Sequence, residues 1–132
     1  MRSILYSLSI IFLLASCMDD DDYYVERTDY VPITEVNIPD SSVVSDTIQI
    51  EAIAEADNGC WRNLTFAFDS IADTTYTLSA YGIYESEGTC PEVIVTADTI
   101  IDFIPQTVGK YLFYVARNSY QSTIDTLIVS EE

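Results

Sequence analysis

Apolar and polar side chains alternate along much of the chain after residue 38. The period is two residues in the segments 48–56, 64–68 and 76–80, where every second side chain is apolar. This alternation predicts strands with one buried face and one exposed face. Turn-forming residues separate the segments, and no apolar stripe has a convincing helical period. About seven short strands follow, so the pattern predicts an all-β fold, an antiparallel β-sandwich.

The amino-terminal part of the chain has a different pattern. Arg2 precedes an uncharged, largely apolar run from residue 4 to residue 14. As a helix this run would span about 16 Å, roughly half of a bilayer core. It therefore predicts a signal peptide over residues 1–16 rather than a transmembrane helix, and a buried amino-terminal helix is the alternative.

The four residues Leu14-Ala15-Ser16-Cys17 resemble the lipobox of bacterial lipoproteins. The resemblance implies cleavage before Cys17, a diacylglyceryl group on its sulfur and acylation of the new amino terminus. Two or three acyl chains hold a protein at a membrane where one chain binds only reversibly. The membrane is thus an expected partner, reached through the lipid on Cys17. A free thiol or a disulfide is the alternative for this cysteine.

An acidic block follows the cysteine after one residue and consists of Asp19, Asp20, Asp21 and Asp22. This arrangement resembles the surface-export signal of Bacteroidetes-type lipoproteins. The resemblance implies an outer-membrane anchor that faces the cell exterior, and a periplasm-facing anchor is the alternative. Residues 17–32 are acidic, rich in tyrosine and without a clean period, which predicts a disordered tether. The folded domain is then expected over residues 33–132.

Charge and residue types exclude several functions. The chain has 22 acidic and 5 basic residues, a net charge of −17 and no histidine. This negative field repels nucleic acid, so nucleic acid is not an expected partner. Without histidine, most catalytic triads and zinc sites are also ruled out. No phosphate-binding loop occurs and no carboxylate pair is distinguished, so we expect no enzyme, no cofactor and no metal.

Two cysteines remain besides Cys17. In an oxidising compartment Cys60 and Cys90 are expected to form a disulfide, and free or metal-binding thiols are the alternative. The bond would close a loop of about 30 residues and contribute roughly 3–4 kcal/mol on the chain-entropy model.

The segment 108–115, VGKYLFYV, resembles the penultimate strand of bacterial Ig-like domains. A glycine precedes an alternation of aromatic and aliphatic residues there, and the likeness covers about 20 residues. It implies an Ig-like Greek-key sandwich. The cysteine pair departs from the antibody pattern, because Trp61 follows Cys60 directly instead of lying on the next strand.

Aromatic side chains are the candidates for a binding face. Their rings can stack on sugars or anchor a protein partner, and packing in the core is the alternative. For Trp61, covering the disulfide is the stronger alternative. The residues considered are Trp61, Tyr76, Tyr81, Tyr84, Tyr114 and Tyr120, with Trp61, Tyr81 and Tyr84 as the main ligand-binding candidates.

Five aspartates are each followed by a hydroxyl residue and then by an aliphatic residue or threonine. The pattern resembles the O-glycosylation acceptor motif of Bacteroidetes-type exported proteins. Turn and strand-start preferences of these residue types are the alternative. The candidate acceptors are Thr47, Ser70, Thr74, Thr99 and Thr126.

Together these features predict an outer-membrane lipoprotein that displays a non-catalytic, Ig-like binding or scaffolding module at the cell surface. Adhesion or glycan capture is the expected role, with a glycan or a protein as partner. The main alternative is a structural subunit of an envelope assembly that offers an edge strand at 33–38 or 123–129. A small hydrolase is less favoured. The sequence does not indicate an oligomeric state.

Overall fold

The computed structural model describes residues 23–131, which form nine β-strands. Within this range no helix is long and apolar enough to cross a membrane. The predicted all-β fold is confirmed, with two strands more than expected. The strands are β1 (Val25–Val31), β2 (Ile33–Asn37), β3 (Ser41–Val43), β4 (Ile48–Ala56), β5 (Trp61–Ala72), β6 (Thr75–Ser86), β7 (Val95–Phe103), β8 (Gly109–Ala116) and β9 (Ser122–Ser130).

The strands form two sheets that pack as a sandwich. The smaller sheet has the order β2-β4-β7 and is antiparallel throughout. The larger sheet contains the other six strands, with β6 between β5 on one side and β1 and β8 on the other. β9 and β3 continue the larger sheet beyond β8. The pairs β3–β9 and β6–β8 are parallel, so this sheet is mixed rather than purely antiparallel.

The predicted tether is wrong for residues 25–31, because these residues form β1. The strand pairs with β6 from Val25 opposite Ser86 to Val31 opposite Ala80. Val31 is its one fully buried side chain, and the five residues before it are exposed. The segment therefore lacks the apolar alternation that reveals a strand, although its backbone is paired along its whole length.

The core lies between the two sheets and is built from their inward-facing residues. Every second residue of β4 is buried, as the alternation predicted. Phe103 of the smaller sheet meets Tyr76 and Phe113 of the larger sheet, with ring centroids 4.9 and 5.6 Å apart. These near-perpendicular ring contacts join the two layers.

The larger sheet forks beside β6. Since β5 occupies one edge of β6, both β1 and β8 lie along the other edge. The β1 ladder ends at Ala80 and the β8 ladder ends at Leu78, so Ser79 lies between the two ladders. Beyond this point β1 leads into the smaller sheet through Pro32, and β8 turns towards β9. The separation opens a gap on the outward face of the sheet.

Candidate functional site

A cleft of about 350 Å³ lies over this fork on the outward face of the larger sheet. Its lining consists of three tyrosines, two aliphatic residues, four hydroxyl residues and two carboxamide residues, and none of these eleven is charged. We call it the tyrosine cleft. Its tyrosines are Tyr30, Tyr114 and Tyr120.

Strand alternation orients two of these tyrosines outwards. Tyr30 precedes Val31, which is 1% exposed, and Tyr114 precedes Val115, which is fully buried. Successive side chains of a strand point to opposite faces, so both rings stand on the solvent side of the sheet. Tyr30 lies at the end of β1 and Tyr114 near the end of β8, one on each branch of the fork.

Tyr81 supports Tyr30 from the neighbouring strand. The two residues are directly opposite in the β1–β6 ladder, and their ring centroids are 4.6 Å apart. The Tyr81 side chain raises the pKa of Tyr30 above its ordinary value of 10.0, first by hydrogen bonding and then by charge repulsion. Tyr30 is therefore neutral throughout the physiological pH range.

The third tyrosine is presented by the loop between β8 and β9. Tyr120 is 95% exposed. The Asn118 Oδ1 atom accepts hydrogen bonds from the backbone N–H groups of Tyr120 at 2.8 Å and Gln121 at 2.9 Å. The Arg117 N–H also donates to the Gln121 carbonyl at 2.8 Å. These bonds order the loop backbone while its tyrosine ring remains in solvent.

The structure does not bring Trp61, Tyr81 and Tyr84 together. Tyr81 and Tyr84 are three positions apart in one strand, so they lie on opposite faces. Tyr84 shares the inward face with Trp61, at 5.4 Å between ring centroids. Gly82 lies two positions before Tyr84 on this face, and a Cβ atom there would be 3.0 Å from the Trp61 ring. Trp61 thus packs on the sheet instead of forming part of the cleft.

The predicted disulfide between Cys60 and Cys90 is confirmed, with Cα atoms 5.3 Å apart. It joins the turn after β4 to the loop after β6. The Tyr84 hydroxyl lies 3.1 Å from the Cys90 sulfur, and the Arg27 guanidinium lies 4.4 Å from the centre of the Tyr84 ring. Tyr84 therefore lies against the disulfide, and the Trp61 ring packs against Tyr84.

Charged side chains cluster at the end of β1 and β6 that lies away from the tyrosine cleft. The Tyr24 hydroxyl lies 2.6 Å from the Glu26 carboxylate and 2.8 Å from the Glu85 carboxylate and shares its one proton between them. Arg62 forms ion pairs with both carboxylates. These two hydrogen bonds, Glu26 first, raise the pKa of Tyr24 above its ordinary value. Glu85 is four residues from Tyr81, about 13 Å along the strand. The ion pairs of Arg62 are thus separated along the sheet from the Tyr30–Tyr81 pair.

The candidate glycosylation sites differ in position and exposure. Thr47 and Thr74 precede β4 and β6, but the other three lie within strands, where a strand-start preference does not explain them. Thr99 is half-buried and faces inwards, because its partner across the ladder is the buried Ala52. Thr74 is half-buried in a turn. The exposed candidates are Thr47, Ser70 and Thr126.

The lipid and export predictions, Cys17 and aspartates 19–22, lie outside the described residues. Among residues 23–131 no group of three or more histidine, cysteine or acidic side chains is arranged to hold a metal ion. Comparisons with protein-family models, with curated proteins and with solved structures found no match.

Sequence reasoning identified Tyr114 and Tyr120 only as general candidates and placed Tyr30 in the tether. The usable signal for Tyr30 was its position next to an apolar residue and a proline, Val31-Pro32, at the start of the folded domain. Its pairing with Tyr81 depends on the β1–β6 register, which nothing in the local sequence indicates.

Proposed function

We propose that this chain is a lipid-anchored outer-membrane protein that displays a non-catalytic, Ig-like binding module at the cell surface. The lipobox at Cys17 and the acidic block after it support the anchor and its outward orientation. The tyrosine cleft supports a binding role, and it is the observation on which that part of the proposal rests.

The contrast between the cleft and the rest of the chain favours a ligand site. The chain has 22 acidic residues, yet all eleven residues that line the cleft are neutral. Tyrosine is also among the residues that contribute most to binding at protein surfaces, since its ring adds contact area at a low entropy cost. A neutral, aromatic concavity on an acidic domain has the character of a recognition site.

The walls of the cleft are held by the fold. Two of them, β1 and β8, pair with β6, and the third is the hydrogen-bonded loop at Asn118. Arg117 ties this loop to β2 by donating to the Ile33 carbonyl, and its Nε donates to the Thr123 hydroxyl at 3.1 Å. A site formed before the ligand arrives loses less conformational entropy on binding.

A structural role through strand addition has weaker support. The predicted edge at 33–38 corresponds to β2, which is an edge strand of the smaller sheet. A register shift between Ile33 and Glu35 interrupts its pairing, and Pro32 precedes it. Irregularities and prolines protect an edge against added strands. At the other predicted edge, 123–129, β3 covers the end of β9 from Ile128 to Ser130.

The anchor is tested by metabolic labelling with an alkyne analogue of palmitate in a bacterium that processes lipoproteins. The wild-type chain is expected to carry the label and to sediment with membranes, whereas Cys17→Ser is expected to do neither. The double variant Cys60→Ser/Cys90→Ser is the matched control and should keep the label. A labelled Cys17→Ser chain, or an unlabelled wild type, would contradict the proposed anchor.

A further inference from the structure

The cleft chemistry also indicates a class of ligand. We infer that the tyrosine cleft binds a neutral carbohydrate, an inference that rests on the proposed binding function and narrows it. Tyr30, Tyr114 and Tyr120 would supply the stacking surfaces, and the hydroxyl and carboxamide groups between them would bind the sugar hydroxyls.

Charge argues against ionic ligands. An anionic glycan would approach a chain with a net charge of −17 and find no lysine or arginine in the cleft lining. A cationic ligand would find no carboxylate there to replace its hydration. A neutral ligand avoids both costs, because the cleft offers it only uncharged groups.

The polar lining matches sugar hydroxyls in hydrogen-bonding type. Serine, threonine, asparagine and glutamine side chains both donate and accept hydrogen bonds, and each sugar hydroxyl also does both. Six of the eleven lining residues are of these four types. Ser79 lies at the centre of the fork, and Gln121 lies on the loop beside Tyr120. Asn118 holds this loop through its Oδ1 atom, and its Nδ2 donates to the Gln121 Oε1 atom at 3.2 Å, so the Gln121 Nε2 group is the carboxamide donor offered to a ligand. Aromatic rings next to such groups can cover the apolar C–H face of a pyranose while its hydroxyls are bound.

Size and position favour a carbohydrate over a peptide or a protein. About 350 Å³ is near the lower end of the range of small-ligand pockets. Peptides that add to a sheet need a free strand edge, whereas this cleft lies on a sheet face. A protein partner needs deep apolar anchor sites, and the aliphatic lining here is limited to Ile71 and Ala116.

Affinity electrophoresis of the full chain tests the inference. The protein is purified in a detergent without a sugar head group and run through gels containing amylopectin, galactomannan, arabinoxylan or yeast mannan. Polygalacturonate serves as the anionic counterpart. At least one neutral polysaccharide is expected to retard the protein, and polygalacturonate is expected to have no effect.

Matched tyrosine variants locate the binding. Tyr120→Ala removes a ring that is 95% exposed, so the fold is retained, and we expect affinity to fall about threefold or more. Tyr23→Ala removes another exposed ring outside the cleft and should bind like wild type. Equal unfolding temperatures of the two variants would show that the comparison reports on binding.

Three results would overturn the inference: no retardation by any neutral polysaccharide, equal retardation by polygalacturonate, or unchanged affinity in Tyr120→Ala. Surface display is measured separately on intact cells. If the chain is accessible on intact cells but binds no neutral glycan, the carbohydrate inference fails and the proposed display stands. A chain that binds such a glycan but is inaccessible on cells would contradict the proposed display and leave the cleft assignment standing.

Discussion

At the residue scale, the Cys60–Cys90 disulfide encloses all of β5 and β6 in one loop. Closing a loop of 30 residues stabilises the fold by about 3–4 kcal/mol on the chain-entropy model. We therefore expect Cys60→Ser/Cys90→Ser to lower the free energy of urea unfolding by that amount. The wild-type chain under a reducing agent is the parallel sample. A loss below about 1 kcal/mol in both would show that the disulfide does not hold this region.

Tyr24 stabilises the folded state at neutral pH, and this contribution to the free energy of unfolding is lost at alkaline pH. Hydrogen bonds to Glu26 and Glu85 raise its pKa in the folded state, so the folded chain holds this proton more tightly than the unfolded chain. By linkage, its stabilising effect is complete below the ordinary tyrosine value of about 10 and is lost as the pH rises further. We expect wild type to be more stable than Tyr24→Phe at pH 8, with the difference shrinking above pH 10.

Urea midpoints followed by Trp61 fluorescence at pH 8, 9, 10 and 11 give this difference. The other tyrosines contribute equally to both proteins and cancel. A difference that grows with pH would mean that Tyr24 does not donate to these carboxylates.

The tyrosines also show how far single residues could be assigned from the sequence. Composition and spacing identified Tyr81, Tyr114 and Tyr120 as candidates because the domain is rich in aromatic side chains. Alternation alone separates Tyr81 from Tyr84, so their placement on opposite faces was predictable once the strand was recognised. The pairing of Tyr81 with Tyr30 could not be predicted, because these two residues are 51 positions apart in the sequence.

At the element scale, β1 is the strand that most changes the description of the molecule. It forms one wall of the tyrosine cleft, and Val31, at its end, joins the core. Val31→Ala is expected to lower the free energy of unfolding by about 1–3 kcal/mol, because it removes buried methyl groups.

The control is Val108→Ala, which makes the same change at a side chain that is 50% exposed. Its effect should stay within about 0.5 kcal/mol. If both substitutions changed the free energy of unfolding by the same small amount, residues 25–31 would be a tether and not a strand of the folded domain. Chemical denaturation of both proteins in the same buffer provides the comparison.

Strands with one buried face could be predicted, and strands held mainly by backbone pairing could not. β4 alternates over its whole length, and all nine of its residues pair with β7. β1 has one fully buried side chain, so its sequence does not alternate between apolar and polar residues. The parallel pairing of β6 with β8 also has no local signal, because it depends on which strands the core places side by side.

At the scale of the whole molecule, one charged cluster and the uncharged tyrosine cleft occupy different parts of the larger sheet. The ion pairs of Arg62 with Glu26 and Glu85 lie at one end of the larger sheet, and the uncharged tyrosine cleft lies at its fork. An acidic domain repels other acidic surfaces and remains soluble at high local density. The cleft is an uncharged surface on this acidic domain, so a ligand bound there meets no charged side chain in the lining.

Display of the cleft outside the cell is tested most directly by labelling a cysteine placed within it. Tyr120→Cys introduces a thiol at a side chain that is 95% exposed, while Cys60 and Cys90 are joined in the disulfide. Cys17 is expected to be lipidated, so the new cysteine should be the free thiol of the mature chain. A membrane-impermeant biotin maleimide is applied to intact and to lysed cells, and the unsubstituted chain is the background control.

We expect Tyr120→Cys to be labelled as strongly on intact cells as in lysates. Changing aspartates 19–22 to alanine in the same variant should restrict labelling to lysed cells. Labelling of the variant with its aspartates intact only after lysis would contradict outward display of the module.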